Sequence, residues 1–233
     1  MKRALLVLAA LLAGCTSEVT SPIARPLLLA PPTTLERGRT GVSGEVAFRA
    51  SSAQPVLDAW SLAMRHGFGE GVEGTIDATY VNDLGELRTP ATSSGVTVRA
   101  GVRYKAAKHV VVFGALAGGT WDEGALMAGD AGITVGSPYV FFTARASVSG
   151  TYGARIVDDG ENAVFCFLCG VSNDRRNAPH TAAMLETILG FRLPLNGSER
   201  TLWLALGIEI VQSFTAVEYH LGAGIGSGLE VVF

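Results

Sequence analysis

The feature that most constrains this chain is the alternation of apolar and polar residues along stretches of about ten residues. In VSGEVAFRAS, residues 42–51, Val42, Val46 and Phe48 fall on one side of an extended strand, and Glu45 and Arg49 fall on the other. VEGTIDATYV, VTVRAGVRYK and FTARASVSGTYGAR repeat the pattern. A period of two predicts β-strands. Strands of soluble proteins usually have about five or six residues, whereas about ten are needed by a tilted strand that crosses a bilayer.

The sequence therefore predicts an all-β fold, a closed antiparallel transmembrane β-barrel of about ten strands with short periplasmic turns and long extracellular loops. Further strands are expected near 57–66, 110–121, 131–137, 182–193, 201–213 and 222–233, although residues 55–68 could also form a short amphipathic helix. Short turns are predicted at 67–71, 106–109, 136–139 and 196–200, and longer connections at 82–93, 122–130 and 156–180. A soluble periplasmic β-sandwich or lipocalin-like barrel is the rival architecture, because it uses the same alternation with its apolar face inward.

The first residues carry an export signal. Lys2 and Arg3 precede an apolar run at 4–14, which is too short to span a bilayer and has the layout of a signal peptide. Residues 12–15, LAGC, resemble the lipobox of bacterial lipoproteins, and this resemblance implies cleavage before Cys15 and acylation of that residue. Three regions follow: a signal peptide at 1–14, a lipidated extended tether at 15–40 that is rich in proline, and an outer-membrane barrel at 41–233.

The last strand is predicted from GLEVVF, in which Leu229 and Phe233 are expected to face outward and Glu230 and Val232 inward. A terminal Phe on an alternating strand resembles the carboxyl-terminal signature of bacterial outer-membrane β-barrels, of the small OmpA-like or general porin-like type. The resemblance implies that the barrel assembly machinery reads Phe233 and that outer-membrane lipid surrounds the strands. The expected location is the bacterial outer membrane, with a lipid anchor at the N-terminus. Outward tyrosines at strand ends, Tyr80, Tyr104 and Tyr152, suit an interfacial girdle.

The inward side of the predicted strands collects charges of both signs. An isolated charge inside a narrow barrel costs several kcal/mol or more, and a charge facing lipid at mid-depth costs roughly 2–4 kcal/mol. We therefore expect a paired lumen charge network. Its expected members are Glu45, Arg49, Glu73, Asp77, Arg99, Arg103, Arg145, Glu186, Arg192, Glu209 and Glu230, with Lys105 on the same side. The network either fills and stabilises a largely closed interior or lines a gated, ion-selective path.

The connection at 156–180 is the most distinctive segment. Cys166 and Cys169 stand in CFLC, and outside the cytosol a local disulfide is the leading interpretation. A redox pair and a metal site with His180 or Asp174 are the alternatives. The neighbouring apolar residues Phe165, Phe167 and Leu168 predict either a loop tip folded onto the rim or a surface contact for an envelope protein partner.

The remaining composition argues mainly against other functions. A net charge of −3, with 17% charged residues, offers no basic face to nucleic acid. No nucleotide or calcium motif is present, and we expect no cofactor and no metal. A rim hydrolase could use His180 with Asp158, Asp159 or Asp174, or His220 with Glu218, but the spacing matches no known motif, so no catalytic residue is expected. The sequence thus predicts a non-enzymatic outer-membrane β-barrel lipoprotein that acts as a structural scaffold or surface-binding component of the cell envelope. The alternatives are a narrow porin-like channel for small solutes and an outer-membrane hydrolase.

Overall fold

A computed structural model describes residues 31–51, 54–83, 94–121, 124–152, 180–195, 199–213 and 218–233. Each strand pairs antiparallel with its neighbours in the chain, and the first and last strands pair with each other, which closes the barrel. The ten strands are β1 (Thr40–Ser51), β2 (Gln54–Gly69), β3 (Val72–Asp83), β4 (Ser94–Ala107), β5 (Val110–Trp121), β6 (Gly124–Gly136), β7 (Val140–Tyr152), β8 (His180–Leu195), β9 (Arg200–Ser213) and β10 (Glu218–Val232). The predicted closed antiparallel barrel is confirmed. In the described part of the chain no helix is long and apolar enough to cross a membrane.

The seam between β1 and β10 begins at the last residue of the chain. The Thr40 N–H donates to the Phe233 carbonyl at 3.2 Å, and the Phe233 N–H donates to the Thr40 carbonyl at 2.8 Å. The register then continues from Gly41 opposite Val232 to Ser51 opposite Gly222. Because both strands find a partner here, the seam leaves no edge that could pair with another chain.

The two ends of the barrel differ. The end that carries Thr40 and Phe233 also carries the connections at 70–71, 108–109, 137–139 and 196–199, and we call it the terminal end. The opposite end, the loop end, carries the connections at 52–53, 84–93, 122–123, 153–179 and 214–217. All four connections at the terminal end are short, as predicted, and both chain ends of the barrel lie there. The loop end carries two long connections, at 84–93 and 153–179, but also three short ones, so the predicted alternation of short turns and long loops holds only in part.

The apolar side of the strands faces outward. Leu116 is 76% exposed and Ile208 is 65% exposed, whereas Glu73 is fully buried and Arg145 is only 2% exposed. Apolar residues outside and charges inside are the polarity of a transmembrane barrel, so the soluble alternative, which needs the apolar face inside, is wrong. Tyr80 and Tyr104 are also exposed and point outward, while the side chain of Tyr152 lies outside the described residues.

The strand predicted at 57–66 is confirmed within β2, and the helix considered as an alternative at 55–68 is not formed. Two other local predictions are wrong. The long connection predicted at 122–130 is only 122–123, because β6 begins at Gly124. Asp130 belongs to that strand, faces the interior and pairs there with Arg99. Lys105, expected on the inward side, is exposed; it lies one residue beyond the end of the β3–β4 pairing, which stops at Val72 opposite Tyr104.

Candidate functional site in the barrel lumen

The lumen contains equal numbers of positive and negative side chains among the described residues. Ten of the eleven residues predicted for the charge network are described, and nine of these are buried, with Arg192 half-buried. The side chain of Glu209 lies outside the described residues, although its backbone pairs with Glu186 in the sheet. Two residues that the sequence analysis missed, Arg65 and Asp130, complete six arginines and six carboxylates: Arg49, Arg65, Arg99, Arg103, Arg145 and Arg192 with Glu45, Glu73, Asp77, Asp130, Glu186 and Glu230.

A continuous chain of ion pairs crosses the lumen toward its terminal end. Glu73 receives Arg103 Nη1 at 2.5 Å on one oxygen and Arg65 Nη1 at 3.2 Å on the other. Arg65 also binds Glu230 through two parallel contacts, Nε at 2.5 Å and Nη2 at 3.0 Å. Arg192 approaches the same carboxylate at 3.8 Å. The series therefore runs from β4 through β3, β2 and β10 to β8. It passes over β1 and β9 and links side chains around seven consecutive strands of the ten in the barrel.

A second cluster lies at mid-height. Arg99 donates Nη1 to Asp77 at 3.0 Å, and its Nε and Nη2 donate to the two oxygens of Asp130 at 2.7 and 2.8 Å. This arrangement uses the planar fork of the guanidinium, which a lysine ammonium does not have. A further buried pair lies near the middle of β7 and β8: Arg145 Nη2 is 2.6 Å from Glu186 Oε2, and the two residues are directly opposite in the register.

Part of the lumen wall is apolar, which the polar-inside interpretation of the sequence did not predict. Phe113, Phe141 and Trp203 are buried and point inward. Phe141 and Trp203 meet edge to face, with ring centroids 5.8 Å apart. The guanidinium of Arg192 lies 5.1 Å above the Trp203 ring, which is cation–π geometry. These rings occupy space that a conducting lumen would leave to water.

Two of the rings occupy positions where the neighbouring strand lacks a side chain. Phe141 lies over Gly190, and Phe113 lies over Gly132, so a Cβ at either glycine would overlap the ring. Each glycine therefore makes room for an aromatic ring inside the barrel. The close approach of the Phe141 ring supplies a specific reason for glycine at position 190.

The chain segment before β1 enters the lumen at the terminal end. Pro31 and Pro32 are buried. The guanidinium of Arg103 donates to the Pro31 carbonyl, and Arg65 Nη1 donates to the Thr33 carbonyl at 3.5 Å. Residues 31–39 belong to the segment predicted as a tether at 15–40, and residues 15–30 of that segment lie outside the described residues. Residues 31–35 of the segment thus lie inside the barrel mouth, and residues 36–38 are exposed.

The segment then turns out of the lumen and into β1. Gly38 adopts a φ of 79°, which favours glycine, and the Arg39 N–H donates to the Glu36 carbonyl at 3.1 Å. Gly67 of β2 holds this turn, because its carbonyl accepts from the Gly38 N–H at 2.8 Å and its N–H donates to the Arg39 carbonyl at 3.0 Å. A Cβ on Gly67 would lie 2.7 Å from the Leu35 carbonyl oxygen. Close backbone approach at this point therefore requires glycine.

Little free space remains beside the segment. The cavity there is about 40 Å³ and is lined by Pro31, Glu45, Arg99, Phe113 and Trp203, among others. A cavity needs roughly 10–15 Å³ by a comparable measure to hold one water molecule. At this level the ion pairs, the aromatic rings and the segment leave room for only a few water molecules.

Of the other residues singled out in the sequence, some are described by the structure and others are not. Phe233 is 70% exposed and, with Leu229, lies on the outward side, whereas Glu230 and Val232 are buried. His180 begins β8, but its side chain is outside the described residues. Also outside them are Cys15, Cys166, Cys169, Phe165, Phe167 and Leu168.

Arg65 and Asp130 were missed for different reasons. Residues 59–65 alternate small or polar residues with Trp60, Leu62 and Met64, so a strict period of two would have placed Arg65 inside with the other arginines. Asp130 shares its inward side with Leu126, so polarity alone did not identify the inward side of β6. The contact that places Asp130 comes from Arg99, two strands away in the barrel.

No protein-family profile matches this chain, and no curated protein matches it in sequence. Among solved structures it is similar to the KdgM porin in complex with disordered oligogalacturonate, at 9% identity and a TM-score of 0.38, over 82% of this chain and 99% of that one. It is also similar to the N-terminal β-barrel domain of Pseudomonas aeruginosa OprF, at 11% identity and a TM-score of 0.36, over 84% and 99% of the chains. The attachment invasion locus protein Ail of Yersinia pestis is similar at 9% identity and a TM-score of 0.33, over 84% and 99%. Similarity at this level assigns no activity to the chain.

Proposed function

We propose that this chain is a bacterial outer-membrane β-barrel lipoprotein that acts as a structural scaffold or surface-binding component of the cell envelope, with a largely closed lumen. The observation that carries this proposal is the content of the lumen. Matched arginines and carboxylates cross it, and the chain's own residues 31–35 fill its terminal end. The proposed role is non-enzymatic and requires no cofactor.

The outward surface supports placement in a membrane. Large apolar side chains such as Leu116, Met127 and Ile208 are more than half exposed, and water would make such a continuous apolar surface prone to association. Lipid removes that penalty, while the backbone hydrogen bonds of a closed barrel leave no unpaired strand edge in the bilayer. A bacterial outer membrane is the setting that such barrels occupy.

The interior supports a closed state. A conducting pore needs a continuous water-filled path whose lining replaces part of an ion's hydration. Here the path is crossed by the Arg103–Glu73–Arg65–Glu230 series. The charges balance at six of each sign among the described lumen residues, so they satisfy one another rather than select an ion. The narrow channel for small solutes is the alternative that conductance would reveal.

The proposed anchor agrees with the position of the chain ends. Acylation of Cys15 would place a lipid in the periplasmic leaflet, and β1 starts at the terminal end with the short turns. If it were extended, a chain with the length of Cys15 to Pro31 would be long enough to connect that leaflet to the barrel mouth, at roughly 3.3 Å per residue. In the proposed orientation the terminal end faces the periplasm and the loop end faces the cell exterior.

Partner contacts follow from the same orientation. We propose that Phe233, exposed at the seam, is read by the barrel assembly machinery during insertion. We also propose that the loop at 156–180, with Phe165, Phe167 and Leu168, contacts an envelope protein at the surface. Deletion of residues 160–178 tests the second proposal. It should abolish site-specific crosslinking between the loop end of the barrel and the envelope protein, without changing the amount of folded barrel in the membrane. Unchanged crosslinking would contradict it.

Heat-modifiability combined with cell fractionation tests the membrane assignment. The protein from outer membranes, kept in mild detergent, should migrate differently on a gel before and after boiling, because a closed barrel resists the denaturant until heated. The Cys15→Ala variant should lose acylation but keep the mobility shift and stay in the membrane fraction through its barrel. A buffer-soluble Cys15→Ala protein without a mobility shift would contradict the proposal.

A further inference from the structure

We propose that the terminal end of the lumen is a binding site for the main chain of an extended peptide segment, and that residues 31–35 of this chain occupy it. The site consists of Arg65, Glu73 and Arg103. It goes beyond the scaffold role, because it assigns a ligand class to a place in the barrel. The proposed peptide site does not depend on whether the lumen conducts ions.

The contacts on the segment are to its backbone. Arg103 donates to the carbonyl of Pro31, and Arg65 donates to the carbonyl of Thr33. The N–H of Leu35 donates to Glu73 Oε2 at 2.8 Å. Two acceptors and one donor of an extended chain thus meet two donors and one acceptor of the barrel. These contacts depend on the direction of the bound chain and on the spacing of its backbone groups, and they do not depend on the identity of its side chains.

The prolines suit a segment that enters a dry, charged lumen. A buried backbone N–H without a partner costs free energy comparable to a lost hydrogen bond, and proline has none. Pro31 and Pro32 are both buried, so the two deepest described residues bring carbonyl acceptors only. The guanidinium of Arg103 supplies a donor for the first of these carbonyls. Proline also favours the extended conformation before binding, which lowers the entropy lost on ordering.

The barrel is locally shaped for the segment. At position 67 of β2 only glycine leaves room for the carbonyl groups of Leu35 and Glu36, since a Cβ would lie 2.7 Å from the Leu35 oxygen. Two residues further along the strand, Gly69 has no atom within 4 Å of the position of a Cβ. Neither glycine has a positive φ. Gly67→Ala and Gly69→Ala therefore form a matched pair in which only the first meets the segment.

Amide hydrogen exchange in the full-length protein is the first test. The Leu35 N–H is expected to exchange slowly, because it is bonded to a fully buried carboxylate. Gly67→Ala should raise its exchange rate by roughly tenfold or more, whereas Gly69→Ala should leave it unchanged. Fast exchange at Leu35 in the unaltered protein, or equal rates in the two variants, would overturn the proposal.

Binding in trans is the second test. In a full-length variant, residues 31–36 are replaced by a Gly-Ser segment of the same length, and the variant is checked for the gel-mobility shift of a folded barrel. A fluorescent peptide, PPTTLERGR, corresponding to residues 31–39, is then titrated against it while fluorescence anisotropy is measured. Saturable binding is expected with the variant. The unaltered protein should not bind the peptide, because its own tethered segment competes at a high effective concentration.

A chemically matched peptide separates main-chain recognition from nonspecific attraction. Methylation of the nitrogen that corresponds to Leu35 keeps every side chain and removes the one N–H that Glu73 accepts. A charge-assisted hydrogen bond of this kind predicts weaker binding by roughly tenfold or more. Equal affinity of the methylated and unmethylated peptides, or equal binding to the variant and the unaltered protein, would overturn the proposal. If the replaced variant does not fold, the exchange rates of Gly67→Ala and Gly69→Ala decide the question.

Discussion

Glu73 Oε2 accepts the main-chain N–H of Leu35 at 2.8 Å, so a fully buried carboxylate on β3 holds a residue that precedes the first strand. The same carboxylate receives Arg65 and Arg103. Glu73 therefore links the charge network to the segment that fills the terminal end of the lumen. A change at this position acts on the stability of the barrel and on the position of the segment together.

Glu73→Gln is expected to lower the free energy of unfolding by about 3–5 kcal/mol. The amide keeps the shape of the side chain but leaves the buried guanidinium of Arg103 without its paired carboxylate, which is the costly case for a buried ion pair. Arg65 loses one of its two carboxylates and keeps Glu230. Urea unfolding of the protein in lipid vesicles measures the effect. Glu199→Gln is the control, because the side chain of Glu199 is 68% exposed and lies 3.9 Å from Arg39. A loss of about 0.5 kcal/mol or less is expected for the control, and a similar small loss for Glu73→Gln would contradict the account.

Arg99→Lys should destabilise the barrel although it conserves charge. Arg99 binds Asp130 through two parallel contacts and reaches Asp77 with a third nitrogen. A lysine offers one compact ammonium, so it leaves part of these two carboxylates without a donor. We expect a loss of about 1–3 kcal/mol in the same unfolding measurement. The reverse type of change at the exposed end of β4, Lys105→Arg, should be nearly neutral, and equal effects of the two variants would speak against the bridging role of Arg99.

The closed barrel and the side on which most charges lie were predictable, because a period of two over long strands leaves few alternatives. Val42, Glu45 and Arg49 show this directly, since their alternation in the sequence is also their alternation between outside and inside. The two partners that the sequence analysis missed, Arg65 and Asp130, depend on contacts between strands that are not adjacent in the barrel. Such contacts follow from closure and register, which no local pattern encodes.

Leu116→Arg tests whether the exposed apolar side faces lipid. Leu116 is 76% exposed near the middle of β5, where an arginine in a bilayer should cost about 2–4 kcal/mol. Tyr104→Arg, close to the end of β4, should cost only about 0–1 kcal/mol because it lies near the interface. Unfolding from vesicles measures both. If the two variants were equally stable, the depth dependence expected of a membrane barrel would be absent.

Gly190→Ala tests the packing of aromatic rings in the lumen. A methyl group at Gly190 would overlap the ring of Phe141, which itself packs against Trp203. Overpacking of this kind is expected to cost about 1–3 kcal/mol. Gly44→Ala is the matched control, because nothing lies within 4 Å of a Cβ at that position. A neutral Gly190→Ala would show that the lumen has more free space than the structure indicates.

The segment at 31–35 could not be placed from the sequence. Its prolines indicate an extended chain, and an extended chain suits an external tether as well as an internal plug. What decides between the two is the arrangement of Arg65, Glu73 and Arg103 around its backbone. That arrangement exists only after three strands have folded. Side-chain patterns carry no signal for contacts that are made by main-chain groups.

Conductance in a planar lipid bilayer is the most direct test of the closed lumen. The purified full-length protein is first inserted into lipid vesicles, which are then fused with the planar bilayer. Insertion is verified by the heat-dependent gel mobility of protein recovered from the same vesicles. The account predicts no stepwise current, because ion pairs, aromatic rings and the segment at 31–35 fill the terminal half of the lumen. Steady single-channel steps whose size changes in Arg99→Ala or Arg103→Ala would contradict it and would identify the chain as a narrow channel.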